Sequence, residues 1–419
     1  MEILDYQLPK SWQIVPFKDA CSFSTKPRNL KLGDKIPFFP MDVIPENEIF
    51  VNEVKIYKEK IGSGTFLNSG DVVLAKITPS FENGKQAIIN IKETFAYATT
   101  EVIPFNEIEN ISDKLFLFYV LKHPNVRANL AGQMEGSTGR QRLSKEILGK
   151  YLIPLPPIAE QKKIAAVLSL VQEAISQQEK AIALTTELKK ALMQKLFTEG
   201  TRNEPQKMTA IGLIPESWEV VTFKDTVNIT NGQVDPTEEP YSEMLHVGSE
   251  NIESNSGKFL KIKTNKELKI SSGNYYFDSN DILYSKIRPY LNKVAIPDFE
   301  GTCSADMYPI QSKKDCFEKE YLFQFLLSSL FLKQAISFQD RTGIPKINRA
   351  QLGSTLLLKA PLDEQKKIAF RLGLLDKKLD VIYGRKKILS ELFQTLLHQL
   401  MTAQIRVDDL DLSALNLEP

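Results

Sequence analysis

The chain is written twice. Leu8-Pro9-Lys10-Ser11-Trp12-Gln13-Ile14-Val15-Pro16-Phe17-Lys18-Asp19 returns as Ile214-Pro215-Glu216-Ser217-Trp218-Glu219-Val220-Val221-Thr222-Phe223-Lys224-Asp225, and these two segments hold the only two Trp residues. Gly70–Pro79 returns as Asn280–Pro289, Thr138-Gly139 as Thr342-Gly343, and Pro157-Ile158-Ala159-Glu160-Gln161-Lys162-Lys163-Ile164-Ala165 as Pro361-Leu362-Asp363-Glu364-Gln365-Lys366-Lys367-Ile368-Ala369. The spacing stays near about 205 residues, the signature of one unit duplicated in tandem. Any fold for this chain must therefore be a fold made twice.

Each unit has two parts. The first mixes short alternating apolar runs with Pro, Gly and Asn punctuation, the pattern of an α+β globule. Val72–Ile77 and Ile282–Ile287 read as strands, Leu115–Leu121 and Tyr321–Leu327 as buried helices. The apolar stretch Tyr321–Ile336, interrupted by Gln324, Ser328, Ser329 and Lys333, reads as a buried helix, too broken for a membrane span. The second part opens at Pro157 and Pro361, with acidic residues beside the positive end of the helix dipole. Apolar positions then step by four and three. The seam runs Ile368, Leu372, Leu375, Leu379, Ile382, Lys386, Leu389, Phe393, Leu396, Leu400, and in the first copy Ile164, Leu168, Val171, Ile175, Gln178, Ile182, Thr185, Lys189, Leu192, Leu196. Two helices of about 40 residues are expected, each about 60 Å long. Neither buries its stripe alone, so they are expected to pair, in preference to lying each on its own globule. Gly200 with Thr201–Gln206 ends the first helix and links the units.

The resulting layout is α+β: a first globule over 1–155, a helix over 156–199, a second globule over 200–359, a helix over 360–403 and a tail over 404–419. Antiparallel pairing of the helices predicts a pseudo-two-fold arrangement. The composition agrees with folded domains, at 42% apolar and 25% charged. The charge balance of 53 Lys+Arg against 52 Asp+Glu excludes a strongly basic protein while leaving room for local basic patches. Three Cys exclude a disulfide scaffold and point to a reducing compartment, and an N-terminus without signal-peptide layout makes a cytoplasmic protein the expectation.

Catalytic signatures are missing. There is no phosphate-binding loop; Gly62-Ser63-Gly64 has Leu67 where a dinucleotide fingerprint needs its third glycine. No nucleophile elbow is present, and three scattered His and three Cys lack zinc-ligand spacing. Glu160-x-Lys162 and Glu364-x-Lys366 have nuclease-like spacing but open helices, and the Asn/Asp-Pro-Pro-aromatic loop of a base methyltransferase is absent. No catalytic residue and no metal are expected.

Binding chemistry recurs at matched places. After the strand, the first unit carries Lys76, Thr78, Ser80, Asn83 and Lys85; the second carries Lys286, Arg288, Tyr290, Asn292 and Lys293. Cations meet phosphates and guanine edges, and Asn meets adenine edges, though an ordinary polar loop has the same composition. The second candidate pair is Thr138, Arg140 and Arg142 in one unit and Arg341, Thr342 and Lys346 in the other, each set beside a glycine that permits close backbone approach. A solvated turn is the plain alternative. Lys162-Lys163 and Lys366-Lys367 read as solvated helix faces.

Two variable globules, each opened by Pro-x-Ser-Trp and closed by Pro-x-x-Glu-Gln-Lys-Lys-Ile, resemble the specificity subunits of type I restriction–modification systems over essentially the whole chain. The resemblance implies two target recognition domains, each reading half of a split, asymmetric double-stranded DNA site. It implies that the helices act as spacer and dock two methyltransferase subunits, which restriction motor-nuclease subunits then join. S-adenosylmethionine, ATP and magnesium belong to those partners, none to this chain. A two-armed protein-binding scaffold that reads no DNA is the competing expectation; a self-sufficient restriction enzyme is disfavoured by the missing motifs.

Overall fold

The structure is a computed structural model and describes residues 8–28, 35–137, 139–338 and 345–409. Contacts divide it into two units: the described residues up to Ala181 together with those from Ile382, and Ile182–Val381. Each unit is one globule plus half of each long helix.

In the first unit, strands Cys21–Phe23, Val102–Glu107, Val72–Ala75, Gln86–Ile89 and Phe50–Val51 form a sheet in that order, antiparallel except for the last pair. A four-stranded sheet runs Tyr57–Lys58, Ile36–Phe39, Phe95–Ala98, Thr65–Asn68. The second unit repeats the scheme. Its first sheet is Val227–Ile229, Met307–Ser312, Ile282–Ser285, Val294–Ala295, and its second Lys263–Thr264, Leu245–Val247, Gly301–Cys303, Tyr275–Phe277. The expected strands after Gly70 and Asn280 are thus central in their sheets, which explains why Val72–Ala75 and Ile282–Ser285 are buried on both faces. A hairpin, Gln206–Thr209 with Gly212–Pro215, belongs to the second unit.

The buried helices are Lys114–Lys122 and Lys319–Leu327. The stretch Tyr321–Ile336, expected as one helix, is two: the chain turns at Ser328, whose hydroxyl accepts from the Phe331 amide and caps a new helix, Ser329–Ser337. A serine competes for backbone donors this way wherever a turn lets it. The first unit makes the same turn at His123, which caps Pro124–Gly132.

The long helices are Ile158–Glu199 and Leu362–Met401. Every seam position is buried or half-buried. In the first unit Ile164, Leu168, Val171 and Ile175 share a core with Phe393, Leu397 and Leu400; in the second, Met193, Leu196 and Phe197 share one with Ile368 and Leu372. The pairing is antiparallel within each unit, as Glu179 meets Lys386 (2.9 Å) and Lys189 meets Asp376 (2.5 Å). Both cores also contain globule residues, among them Trp12, Phe116 and Leu117, and Trp218, Tyr321 and Leu322. The alternatives of helix on helix and helix on globule are both realised.

The repeated motifs meet at one polar knot per unit. Trp12 Nε1 donates to Glu160 at 3.0 Å, and Trp218 Nε1 to Glu364 at 3.1 Å. Arg406 donates to both oxygens of Glu160 (2.7 and 2.9 Å), and Arg202 lies 3.4 Å from Glu364. Gln161 donates to Ile111 O and Pro156 O and accepts from Asp113 N; Gln365 does the same with Cys316 O, Ala360 O and Glu318 N. A buried carboxylate needs such partners. The Glu-Gln pair therefore welds helix start to globule, and its neighbouring Lys residues face solvent as expected, Lys162 exposed and Lys163 beside Asp408.

Candidate nucleic-acid interface

The two candidate segments of each unit lie side by side. Ile77 pairs with Arg142 and Ile287 with Lys346 as antiparallel bridges. The Thr78 amide and hydroxyl both donate to Gln141 O, at 3.1 and 3.2 Å, while Leu143 N donates to Lys76 O at 2.8 Å. In the second unit Arg288 N donates to Pro345 O (2.7 Å) and Ile347 N to Lys286 O (2.9 Å). A run of polar residues beyond a central strand is thus stitched to a second run more than fifty residues away. Gly136 stands where a side chain is excluded, with φ of +132° and an added Cβ 2.8 Å from Arg140 O. The close approach that glycine permits here is to its own loop.

Within this frame the expected site residues divide. Asn83, Arg140, Arg142, Arg288, Tyr290 and Lys346 are exposed; Lys76, Thr78, Ser80 and Lys286 are half-buried. Thr138, Arg341 and Thr342 lie outside the described residues. Asn292, expected to face DNA, is instead buried at 5% exposure: its amide donates to Leu327 O (2.9 Å) and Asn255 Oδ1 (3.2 Å), a better use for a buried polar group than solvent it cannot reach. Lys85 and Lys293 turn inward as well. Their ammonium groups donate to Met41 O (3.0 Å) and Ser249 O (2.7 Å), each at a short 3-10 turn. These three hold the loops from within.

Other residues complete the surface that no motif announced. Arg127 is buried, donating to Phe81 O (2.5 Å), Gln86 Oε1 (2.5 Å) and Leu121 O (2.7 Å), with its guanidinium over the Phe81 ring. Burial pulls its pKa down to about 10, so it stays charged at neutral pH. It fastens the loop of Ser80 and Asn83 to the helix end at Leu121. Arg349 lies over Tyr275 and Tyr308 and donates to Thr230 O (2.6 Å), and Lys286 also approaches the Tyr308 ring (5.5 Å). Glu101 accepts twice from Arg142, both at 2.9 Å, and that hydrogen bonding holds its carboxyl below the usual range. For Glu101 and Arg349 a polar residue recurs at the matched point of the other copy, Asp306 and Lys145, whereas Arg127 matches the apolar Leu332 and carries no such signal. Among the described residues no group of three His, Cys, Asp or Glu gathers as for a metal, and no helix is long and apolar enough to cross a membrane.

This duplicated frame is a known one. The family profile described as "Type I restriction modification DNA specificity domain" matches residues 9–185 and again 215–391. The chain belongs to the type I restriction–modification DNA-specificity family. As a member it is a specificity subunit of such a system, the non-catalytic part that selects DNA. It is 28% identical to the MjaVIII specificity subunit of Methanocaldococcus jannaschii over 98% of this chain and 96% of that one. It is 26% identical to the EcoDI specificity subunit of Escherichia coli over 90% and 84%. The crystal structure of the S subunit from M. genitalium shares the fold at a TM-score of 0.61 and 14% identity, covering 94% of this chain and 98% of that one. A chain from a structure concerned with complex assembly and conformational transition of the type I system gives 0.53 at 16% identity, covering 94% and 99%.

Proposed function

We propose that this chain reads a split, asymmetric double-stranded DNA site, one half with each globule. The first half is read by Lys76, Thr78, Ser80 and Asn83 with Arg140 and Arg142, and the second by Lys286, Arg288 and Tyr290 with Lys346. Thr138, Arg341 and Thr342, which lie outside the described residues, belong to the same reading by their place in the sequence. The observation that carries this is the stitching of two cation-bearing segments in both units, at the ends of matched strands. Exposed Arg and Lys at such a place serve phosphate and guanine contact, and Asn83 serves adenine. The globules differ in these residues, so the half-sites differ.

On this reading residues 1–155 and 200–359 are the recognition domains and the two long helices the spacer between half-sites. Two methyltransferase subunits dock on the helices and restriction subunits join them in the cytoplasm. S-adenosylmethionine, ATP and magnesium serve those partners. Phe370, Leu374, Val381, Ile388 and Leu392 stay exposed on the second long helix, which supports docking of an apolar partner face there.

Selection of bound duplexes from a random pool, using the chain assembled with its methyltransferase partner, tests the reading. Two short conserved blocks separated by unselected bases are expected, and exchange of residues 1–155 for those of a relative should change one block alone. Enrichment of a single continuous palindrome, or of nothing, would refute it. The second outcome would favour the scaffold.

A further inference from the structure

The proposed reading surface contains a carboxylate at the same place in both units, although its sequence surroundings differ: Thr99-Thr100-Glu101-Val102 in one, Ser304-Ala305-Asp306-Met307 in the other. The backbone fixes the equivalence, since Lys76 N donates to Glu101 O and Lys286 N to Asp306 O, each at 3.0 Å. The side chains face the cations. Glu101 holds Nε and Nη2 of Arg142 at 2.9 Å each, and Asp306 lies 3.6 Å from Lys286 Nζ. Both acids sit just before the long strand that pairs with the strand feeding the loop.

We propose that Glu101 and Asp306 are specificity-determining residues that suppress binding to the wrong DNA. This rests on the reading surface proposed above. The physical argument begins with what each target offers. A phosphate attracts net positive charge and is met by any lysine or arginine, whatever the sequence. A base edge demands donors at fixed angles. Arg142 bound through Nε and Nη2 keeps Nη1 free as a directed donor, while the pair with Glu101 has no net charge. The carboxylate thus removes attraction to phosphate and retains, even sharpens, presentation to a base. Should Arg142 swing to a phosphate, Glu101 would be left facing the DNA backbone unpaired. Asp306 acts alike on Lys286, whose position over the Tyr308 ring already limits its reach.

Glu101→Gln and Asp306→Asn keep shape and remove charge. Binding of the methyltransferase-assembled chain is measured on three duplexes: the selected site, one scrambled in the first half, and one scrambled in the second. Glu101→Gln should raise affinity for the duplex scrambled in the first half by about three- to fivefold, the worth of an exposed ion pair. It should also steepen the salt dependence by about 0.9 in log–log slope, one freed cation, and leave discrimination in the second half unchanged. Asp306→Asn should do the reverse. Adding Arg142→Ala to Glu101→Gln should abolish the gain. Unchanged affinity for scrambled duplex, in protein whose melting matches the parent, would overturn the proposal. So would a loss confined to the selected site, which would make Glu101 itself a base reader. Arg142→Ala separates the two levels: if it binds every duplex as the parent does, the reading surface is wrong; if it weakens binding while Glu101→Gln gains nothing, only the role of the acid is wrong.

Discussion

The two units solve one packing problem differently. Where the short helices turn, the first unit places His123 and the second Ser328. Nδ1 of His123 accepts from Asn125 N, so the neutral ring carries its proton on Nε2, directed at His398 Nδ1 3.3 Å away. In the second unit the same corner is lined by Ser328 and Gln194 and holds a cavity of about 450 Å³ bordered by Met193, Phe197 and Leu327. The loops show the same freedom. Arg127 reaches from a helix to fasten the first loop to Leu121 O, whereas Asn292 reaches from the second loop back to Leu327 O. What persists between copies is the place of the anchor, at the end of the short helix; the residue that donates and the carbonyl that accepts both change, Leu121 O lying two residues before His123 and Leu327 O one before Ser328. Duplication preserved where a loop is fastened more strictly than the atoms that fasten it.

The sharpest way to break this comparison is at the anchors. Arg127→Leu removes three buried hydrogen bonds, of whose acceptors Phe81 O keeps the Gly84 amide (3.0 Å), and should destabilise the first unit by roughly 3–5 kcal/mol. Asn292→Ala, losing one well-placed donor, should cost the second unit about 1–3 kcal/mol. Denaturant unfolding of the two variants should rank them in that order; equal costs would mean the anchors do not divide the work as described.

Titration comes next. His123 is 1% exposed, and burial first, then the His398 ring, lower its pKa to about 4 from 6.5. The unfolded chain therefore binds the extra proton more readily. The contribution is fully present above pH 6.5 and is lost as pH falls toward 4, amounting to about 3 kcal/mol. Melting followed between pH 7 and 4 should show this slope, and His123→Ser, which imports the second unit's solution, should flatten it. A slope as steep in the variant would place the titrating group elsewhere.

The smallest effect lies in the cavity. Gln194→His with Ser328→His should narrow it, raise stability at pH 7.5 by about 1 kcal/mol, and bring the acid sensitivity of the first unit to the second. A gain at neutral pH without new acid sensitivity would show that the imported rings do not pack as His123 and His398 do.

The broad plan was legible because it rests on local signals. Tandem Trp and Glu-Gln-Lys-Lys-Ile motifs announce the duplication, and four-three spacing announces the long helices, down to Lys189 and Lys386 as seam positions with partners. The turn at Ser328 was signalled by a cap residue inside an apolar run and was outweighed by that run's hydrophobicity. What sequence conceals is direction. Lys85, Asn292 and Lys293 have the composition of DNA readers, but three-dimensional neighbours such as Met41 O and Leu327 O turn them inward. Arg127 lies far along the chain from the loop it serves, and nothing in a linear pattern marks a partner forty residues distant; Glu101 is marked only by Asp306 at the matched place.

The knot of Glu160 sets an order of birth. Its arginine, Arg406, comes 246 residues later, whereas the knot of Glu364 draws on Arg202, 162 residues before it in the order of synthesis and within the same unit. As the ribosome proceeds, the globule emerging first must wait for the whole of the second unit before its helix half from Ile382 arrives. At 5–20 residues per second that delay is roughly 10–40 s. During it Ile164, Leu168 and Val171 lack their partners Phe393, Leu397 and Leu400. The earliest-made domain is the last to be finished, and nascent-chain protection against aggregation matters most for that half of the molecule.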